Sequence, residues 1–128
     1  MPRSRRARGV RLQTDVPLPG RPVRGSVTGR PIMAALNLLS RRWVLRILWE
    51  LRSGEMGFRE MRTVCDGMSP DTLNTRLQEL REAGLVEQTE DTTWRLTDLG
   101  RRLGPALKAM DRWAAQWADA VDRGEIPP

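Results

Sequence analysis

Ser69-Pro-Asp-Thr-Leu-Asn-Thr-Arg-Leu-Gln-Glu-Leu-Arg-Glu-Ala-Gly-Leu-Val86 runs straight into Glu87-Gln-Thr-Glu-Asp-Thr-Thr-Trp-Arg-Leu-Thr97. The first half carries every signal of a helix start. Ser69 offers a hydroxyl oxygen to the unpaired N–H groups of the first turn. Pro70 suits the first helical position, where no backbone donor is lost. Asp71 faces the positive end of the helix dipole. Leu73, Leu77 and Leu80 then recur at helical spacing and make one buried stripe. Gly84 stops the helix, as glycine does just past a C-terminus. The second half reads as two short strands, roughly 86–89 and 93–96, around a tight turn with Glu90-Asp91 at its tip.

Upstream, Pro31 opens the ordered chain, with Met33, Leu36 and Leu39 at helical spacing. Arg42 to Arg52 forms the next helix, with Val44, Ile47, Leu48 and Leu51 facing a core, and Gly54 ends it. After an extended Met56-Gly57, Phe58, Met61 and Val64 share a third helical face, and Gly67 breaks the chain. Downstream, Thr97-Asp98 caps a last helix expected to reach about Val121, kinked at Gly104-Pro105 because proline removes a backbone hydrogen bond. The fold class is therefore mostly α with a small β-hairpin (α+β). Two helices meeting at a short turn, followed by a hairpin, make a winged helix-turn-helix, here with a long helix at the C-terminus.

The chain's 128 residues suit one domain. Its net charge of +6 is unevenly placed. Residues 1–30 hold eight Arg against Asp15, a balance of +7, and residues 31–128 hold 14 basic and 15 acidic groups, a balance of −1. The expected organisation is an Arg/Pro-rich arm, disordered or loosely ordered, over 1–30, a DNA-binding and dimerisation domain over 31–123, and a tail over 124–128. Such an arm neutralises phosphate, or serves only as a solubilising tail. Removing residues 1–30 is expected to flatten the salt dependence of DNA binding and to leave sequence preference intact. Among 22 basic residues 21 are Arg, which reads first as genomic base-composition bias.

The lone Cys65 has no disulfide partner and reads as a small buried residue rather than a sensor. No apolar run approaches the roughly 20 residues of a membrane span. The Arg-rich start lacks the apolar stretch of a secretory signal. With no His, no Tyr, no phosphate-cradling glycine loop and no paired carboxylates, neither catalysis, a metal nor a cofactor is expected. A cytoplasmic, nucleoid-associated protein is.

The stretch from Ala35 to Trp113 resembles the HxlR-type winged-helix transcriptional regulators of bacteria, in the MarR-like superfamily. The matching pieces are Leu36-Asn-Leu-Leu-Ser-Arg-Arg-Trp43, Ile47-Leu-Trp-Glu-Leu51, Gly57-Phe-Arg-Glu-Met61, the helix from Met68 to Leu80, Gly84-Leu-Val86 and Leu96-Thr-Asp-Leu-Gly100. The resemblance implies a homodimer on double-stranded DNA at a near-palindromic operator. A repressor, rather than an activator, is the expectation. The chain departs from the pattern in places. Arg30-Pro-Ile-Met33 lacks the sensing Cys that many members carry before the first helix. Ser40-Arg-Arg-Trp43 replaces the usual Gly-Gly-Lys-Trp turn, and the wing is short and acidic.

With the three leucines inward, Asp71, Thr75, Gln78 and Glu82 face out and Thr72 and Asn74 flank them. Asn and Gln pair with adenine edges, and Thr touches base edges or the thymine methyl. Thr72, Asn74, Thr75, Arg76 and Gln78 are the candidate DNA contacts, and a solvated helix face is the bland reading of the same residues. Ser69 is a cap first, although the free N–H groups beside it also suit a phosphate. Arg59 and Arg62 on the preceding helix either clamp phosphate or pair with Glu55, Glu60 or Asp66. Arg95 in the second strand is a candidate phosphate contact, with Thr92 and Thr93 weaker ones. Met33, Leu36, Trp49, Met110, Trp113 and Trp117 are assigned to a dimer interface or to a pocket for a small-molecule effector. The alternative function is a winged helix turned to protein interaction, with Trp113 and Trp117 anchoring the partner.

Overall fold

The computed structural model describes residues 16–22 and 29–127. Helix α1 (Pro31–Leu39) begins on its proline, as expected. Its inward face differs from the expected one. Ala34 and Leu38 are buried, Met33 and Leu39 are half-buried, and Leu36 is exposed together with Ile32. Four-residue spacing puts 34 and 38 on one side of the helix and 32 and 36 on another.

A turn leads to α2 (Val44–Leu51), which buries Val44, Ile47, Leu48 and Leu51. Trp43 sits at the N-cap with φ 76°, a conformation unusual for a bulky side chain. This turn is fastened to a later helix. Glu79 holds Arg41 at 2.6 Å and Arg76 at 2.7 Å, and Arg76 Nε donates to the Arg42 carbonyl at 2.8 Å.

Helix α3 (Phe58–Val64) buries Met61. The following turn runs through Asp66 (φ 60°) and Gly67 (φ 70°). Helix α4 (Pro70–Glu82) starts as its sequence dictates: Ser69 Oγ accepts the Thr72 N–H at 3.1 Å, and Pro70 occupies the first turn. Leu73, Leu77 and Leu80 are fully buried. The helix closes in a Schellman arrangement at Gly84 (φ 82°), with Leu85 N–H donating to Leu80 O and Gly84 N–H to Arg81 O.

Strands β1 (Val86–Gln88) and β2 (Trp94–Leu96) pair antiparallel, with Val86 opposite Leu96, Glu87 opposite Arg95 and Gln88 opposite Trp94. Val86, Trp94 and Leu96 turn into the core. Met56 adds a bridge to Trp94 through two backbone hydrogen bonds, so the hairpin has a rudimentary third strand.

Thr97 caps the short α5 (Asp98–Arg101), and α6 (Gly104–Asp122) follows. The single kinked helix expected here is therefore two helices. Pro105 fits the unpaired first turn of a new helix better than the interior of an old one. Gly100 lies against the Leu85 backbone so closely that any Cβ would collide with the Leu85 carbonyl. Only Leu107 of α6 is buried.

Two stretches of the arm, 1–15 and 23–28, lie outside the described residues. Of the rest, Val16 and Pro17 are buried, and 19–22 are exposed. Ordered packing thus begins before Pro31.

Candidate nucleic-acid interface

Three elements converge on one groove. The start of α3 brings Arg59 and Glu60, the outer face of α4 brings Asn74 and Gln78, and the wing brings Gln88 and the turn from Asp91 to Thr93. Asn74 and Thr75 are exposed, and Thr72 and Gln78 are half-buried. Asn74 and Gln78 line the groove itself; Thr75 stands on the same helix outside it.

Thr72 and Ser69 are bound to each other. Ser69 Oγ donates to Thr72 Oγ1 at 2.9 Å while accepting the Thr72 backbone N–H. Both side chains therefore build the helix start before they can touch DNA.

The cations divide sharply. Arg59 is exposed, and its guanidinium makes no hydrogen bond or ion pair with any described residue. Arg62 is held: its Nε donates to the Met68 carbonyl at 2.9 Å, bracing the turn into α4 instead of pairing with a carboxylate. Arg76 is held in the clasp with Glu79 and the Arg42 carbonyl. Arg95 pairs across the strands with Glu87 at 2.8 Å, and that carboxylate raises its already high pKa. Its positive charge is thereby offset on the wing. Thr93 donates to Glu55 at 3.0 Å, which brings another carboxylate beside the hairpin.

Arg81 and Gln88 escaped the sequence reading. The Arg81 guanidinium lies over the Trp94 ring, 4.9 Å from its centroid, and reaches the side-chain oxygens of Gln78 (3.4 Å) and Gln88 (3.3 Å). It ties α4 to the wing, and the Oε1 atoms of both glutamines turn toward it. The usable signal was the three-residue spacing of Gln78 and Arg81 on a helix.

The second set of assigned residues is only partly gathered. Trp49 and Met110 line one shallow groove between α2 and α6. The Arg52 guanidinium covers the Trp49 ring at 3.7 Å. Trp113 and Trp117 stack at 5.4 Å and 26° further along α6, and both are more than half exposed. Met110 and Val121 extend this stripe. Met33 and Leu36 stand apart on α1. Cys65 is fully buried, and desolvation pushes its thiol pKa up despite the nearby Arg46.

Among the described residues no helix is long and apolar enough to cross a membrane, and no group of His, Cys, Asp and Glu is placed to hold a metal.

Comparison with known proteins gives a consistent result. The HxlR-like helix-turn-helix family model matches residues 38–122. The uncharacterised HTH-type transcriptional regulator YvaP of Bacillus subtilis (strain 168) is 34% identical over 91 residues, covering 66% of this chain and 84% of its own. Quinone-bound YodB from B. subtilis superposes with a TM-score of 0.63 at 30% identity, covering 67% of this chain and 96% of that one. A transcriptional regulator of the MarR family from Enterococcus faecalis V583 gives 0.63 at 28% identity, covering 73% and 90%.

Proposed function

Because this chain belongs to the HxlR-like helix-turn-helix family of transcriptional regulators, we propose that it acts as a homodimeric repressor on an inverted-repeat operator at the nucleoid, without catalytic activity. The groove between α4 and the wing carries this reading. Asn74 and Gln78 line it with amides suited to base edges in the major groove. The exposed Met110, Trp113, Trp117 and Val121 stripe on α6 supplies a dimer surface of the composition such surfaces favour. In that dimer the two α4 helices lie about one DNA turn, roughly 34–36 Å, apart.

The test is retention of fragmented genomic DNA from the source organism by the full-length protein, followed by sequencing. An enriched inverted repeat, lost in the Asn74→Ala/Gln78→Ala double variant, supports the proposal. Retention without a preferred site would overturn it in favour of a protein-interaction module.

A further inference from the structure

The side-chain amides that line the groove between α4 and the wing are not equally free. Asn74 is exposed and its side chain makes no hydrogen bond with any described residue, so both ends of its amide are open. Gln88 is held at both ends. Its Oε1 accepts from Arg81 Nη2 at 3.3 Å, and its Nε2 donates to the Thr92 carbonyl at 3.3 Å. Gln78, one turn after Asn74, is held at one end only. Its Oε1 accepts from Arg81 Nη1 at 3.4 Å, and its Nε2 has no partner among the described residues. Both bonds to Arg81 are long, but their direction is unambiguous, because a guanidinium has donors and no acceptor. Arg81 itself does not line the groove, so an oxygen turned toward it is turned from the groove. Its place is set by the Trp94 ring, whose centroid lies 4.9 Å away and which is itself buried in the core.

We propose that Arg81 is a positioning residue for base selection: by holding Oε1 it leaves Gln78 only donors to offer, and Gln78 then selects guanine where a free glutamine takes adenine. This rests on the DNA-binding reading above, with α4 as the reading helix. A glutamine reads adenine with both ends of its amide, accepting from N6 and donating to N7. To do so here, Oε1 must leave Arg81 and deprive the cation of its acceptor. Reversing the amide instead sets N–H groups against N–H groups. With Nε2 alone facing the groove, guanine is the best match, because N7 and O6 are both acceptors at its major-groove edge. Cytosine presents a donor there and is refused. Asn74 has no such tie and keeps adenine. Two amides four residues apart share one face of α4, yet they read different bases.

The experiment is selection of binding sites from a random duplex library by the full-length protein, compared with its Gln78→Ala, Asn74→Ala, Arg81→Met and Gln78→Lys variants. The alanine variants identify which position of each half-site depends on which amide. The expected wild-type site has guanine at the Gln78 position and adenine at the Asn74 position. Arg81→Met keeps an apolar stem over Trp94 and removes every donor. It should lower the preference for guanine over adenine at the Gln78 position by about fivefold or more, the lower end of what one base-edge contact discriminates. The Asn74 position should not change. Gln78→Lys, whose side chain only donates, should keep guanine, and this arm does not depend on how an Arg81 variant folds. Adenine at the Gln78 position of the wild-type site, guanine kept in full by Arg81→Met, an equal loss of preference at both positions, or guanine lost in Gln78→Lys overturns the inference while the DNA-binding reading stands. No selected site for the wild-type protein overturns that reading, and this inference with it.

Discussion

At the scale of single residues, the interface depends on which cations remain unpaired. Arg59 is the exposed one beside the groove, while Arg62, Arg76 and Arg95 have intramolecular partners. Arg59→Gln is expected to lower affinity for all sequences alike and to flatten the log–log salt slope by about 0.9 for each chain bound. Fluorescence anisotropy across a salt series measures it; an unchanged slope would remove Arg59 from the phosphate contacts. Cys65 gives a pH signature. Its thiol stays protonated in the fold because burial raises its pKa, whereas the unfolded thiol ionises at about 8.5. The stabilising difference is fully present below that range and is lost as pH rises above it. Urea midpoints should fall with alkaline pH, and Cys65→Ala should remove that part of the decline.

At the scale of elements, α4 was the most legible piece, because local chemistry determines it. Ser69, Pro70 and Gly84 set its ends and three leucines its buried side. The loss of its cap in Ser69→Ala should cost about 1 kcal/mol in chemical denaturation. Gly100→Ala should cost more, although glycine to alanine favours a helix in isolation, because the added methyl meets the Leu85 carbonyl. If Gly100→Ala proves the milder of the two, the close approach of α5 to the α4–β1 junction is not holding the wing. That approach, like the clasp of Arg41, Glu79 and Arg76, joins residues far apart in sequence, and a periodic pattern carries no trace of it. The same limit explains the other differences. Met33, Leu36 and Leu39 were spaced for a helix, yet the neighbours of α1 determine that Ala34 and Leu38 are the buried pair. Gly104-Pro105 signalled an interruption correctly, and the backbone resolves it as an end and a fresh start. Of the reading face, Asn74 and Gln78 were visible from helical phase alone; the Arg81 tie to Gln88 required the register of the wing.

At the scale of the whole molecule, a nearly neutral body carries a strongly basic arm. Since Val16 and Pro17 pack into the fold, removing residues 1–15 separates arm from body more cleanly than removing 1–30. That truncation, which deletes five Arg and Asp15, should flatten the salt dependence of DNA binding and keep the selected sequence. Loss of sequence preference would show that the arm reads bases. Association is tested independently: Trp113→Glu places a charge on the exposed α6 stripe and should shift sedimentation from dimer to monomer, and an unchanged dimer would move the interface elsewhere. The fastening of α4 has a further bearing on how such a protein changes over generations. Its ends are held from outside, by Arg62 on the Met68 carbonyl and by Thr97 on the Gly84 carbonyl at 2.6 Å, and its back is held by leucines. None of these attachments involves Asn74 or Thr75. Duplicated genes could therefore diverge at those positions and acquire new operators while folding equally well, which makes the reading helix an exchangeable head on an unchanged frame.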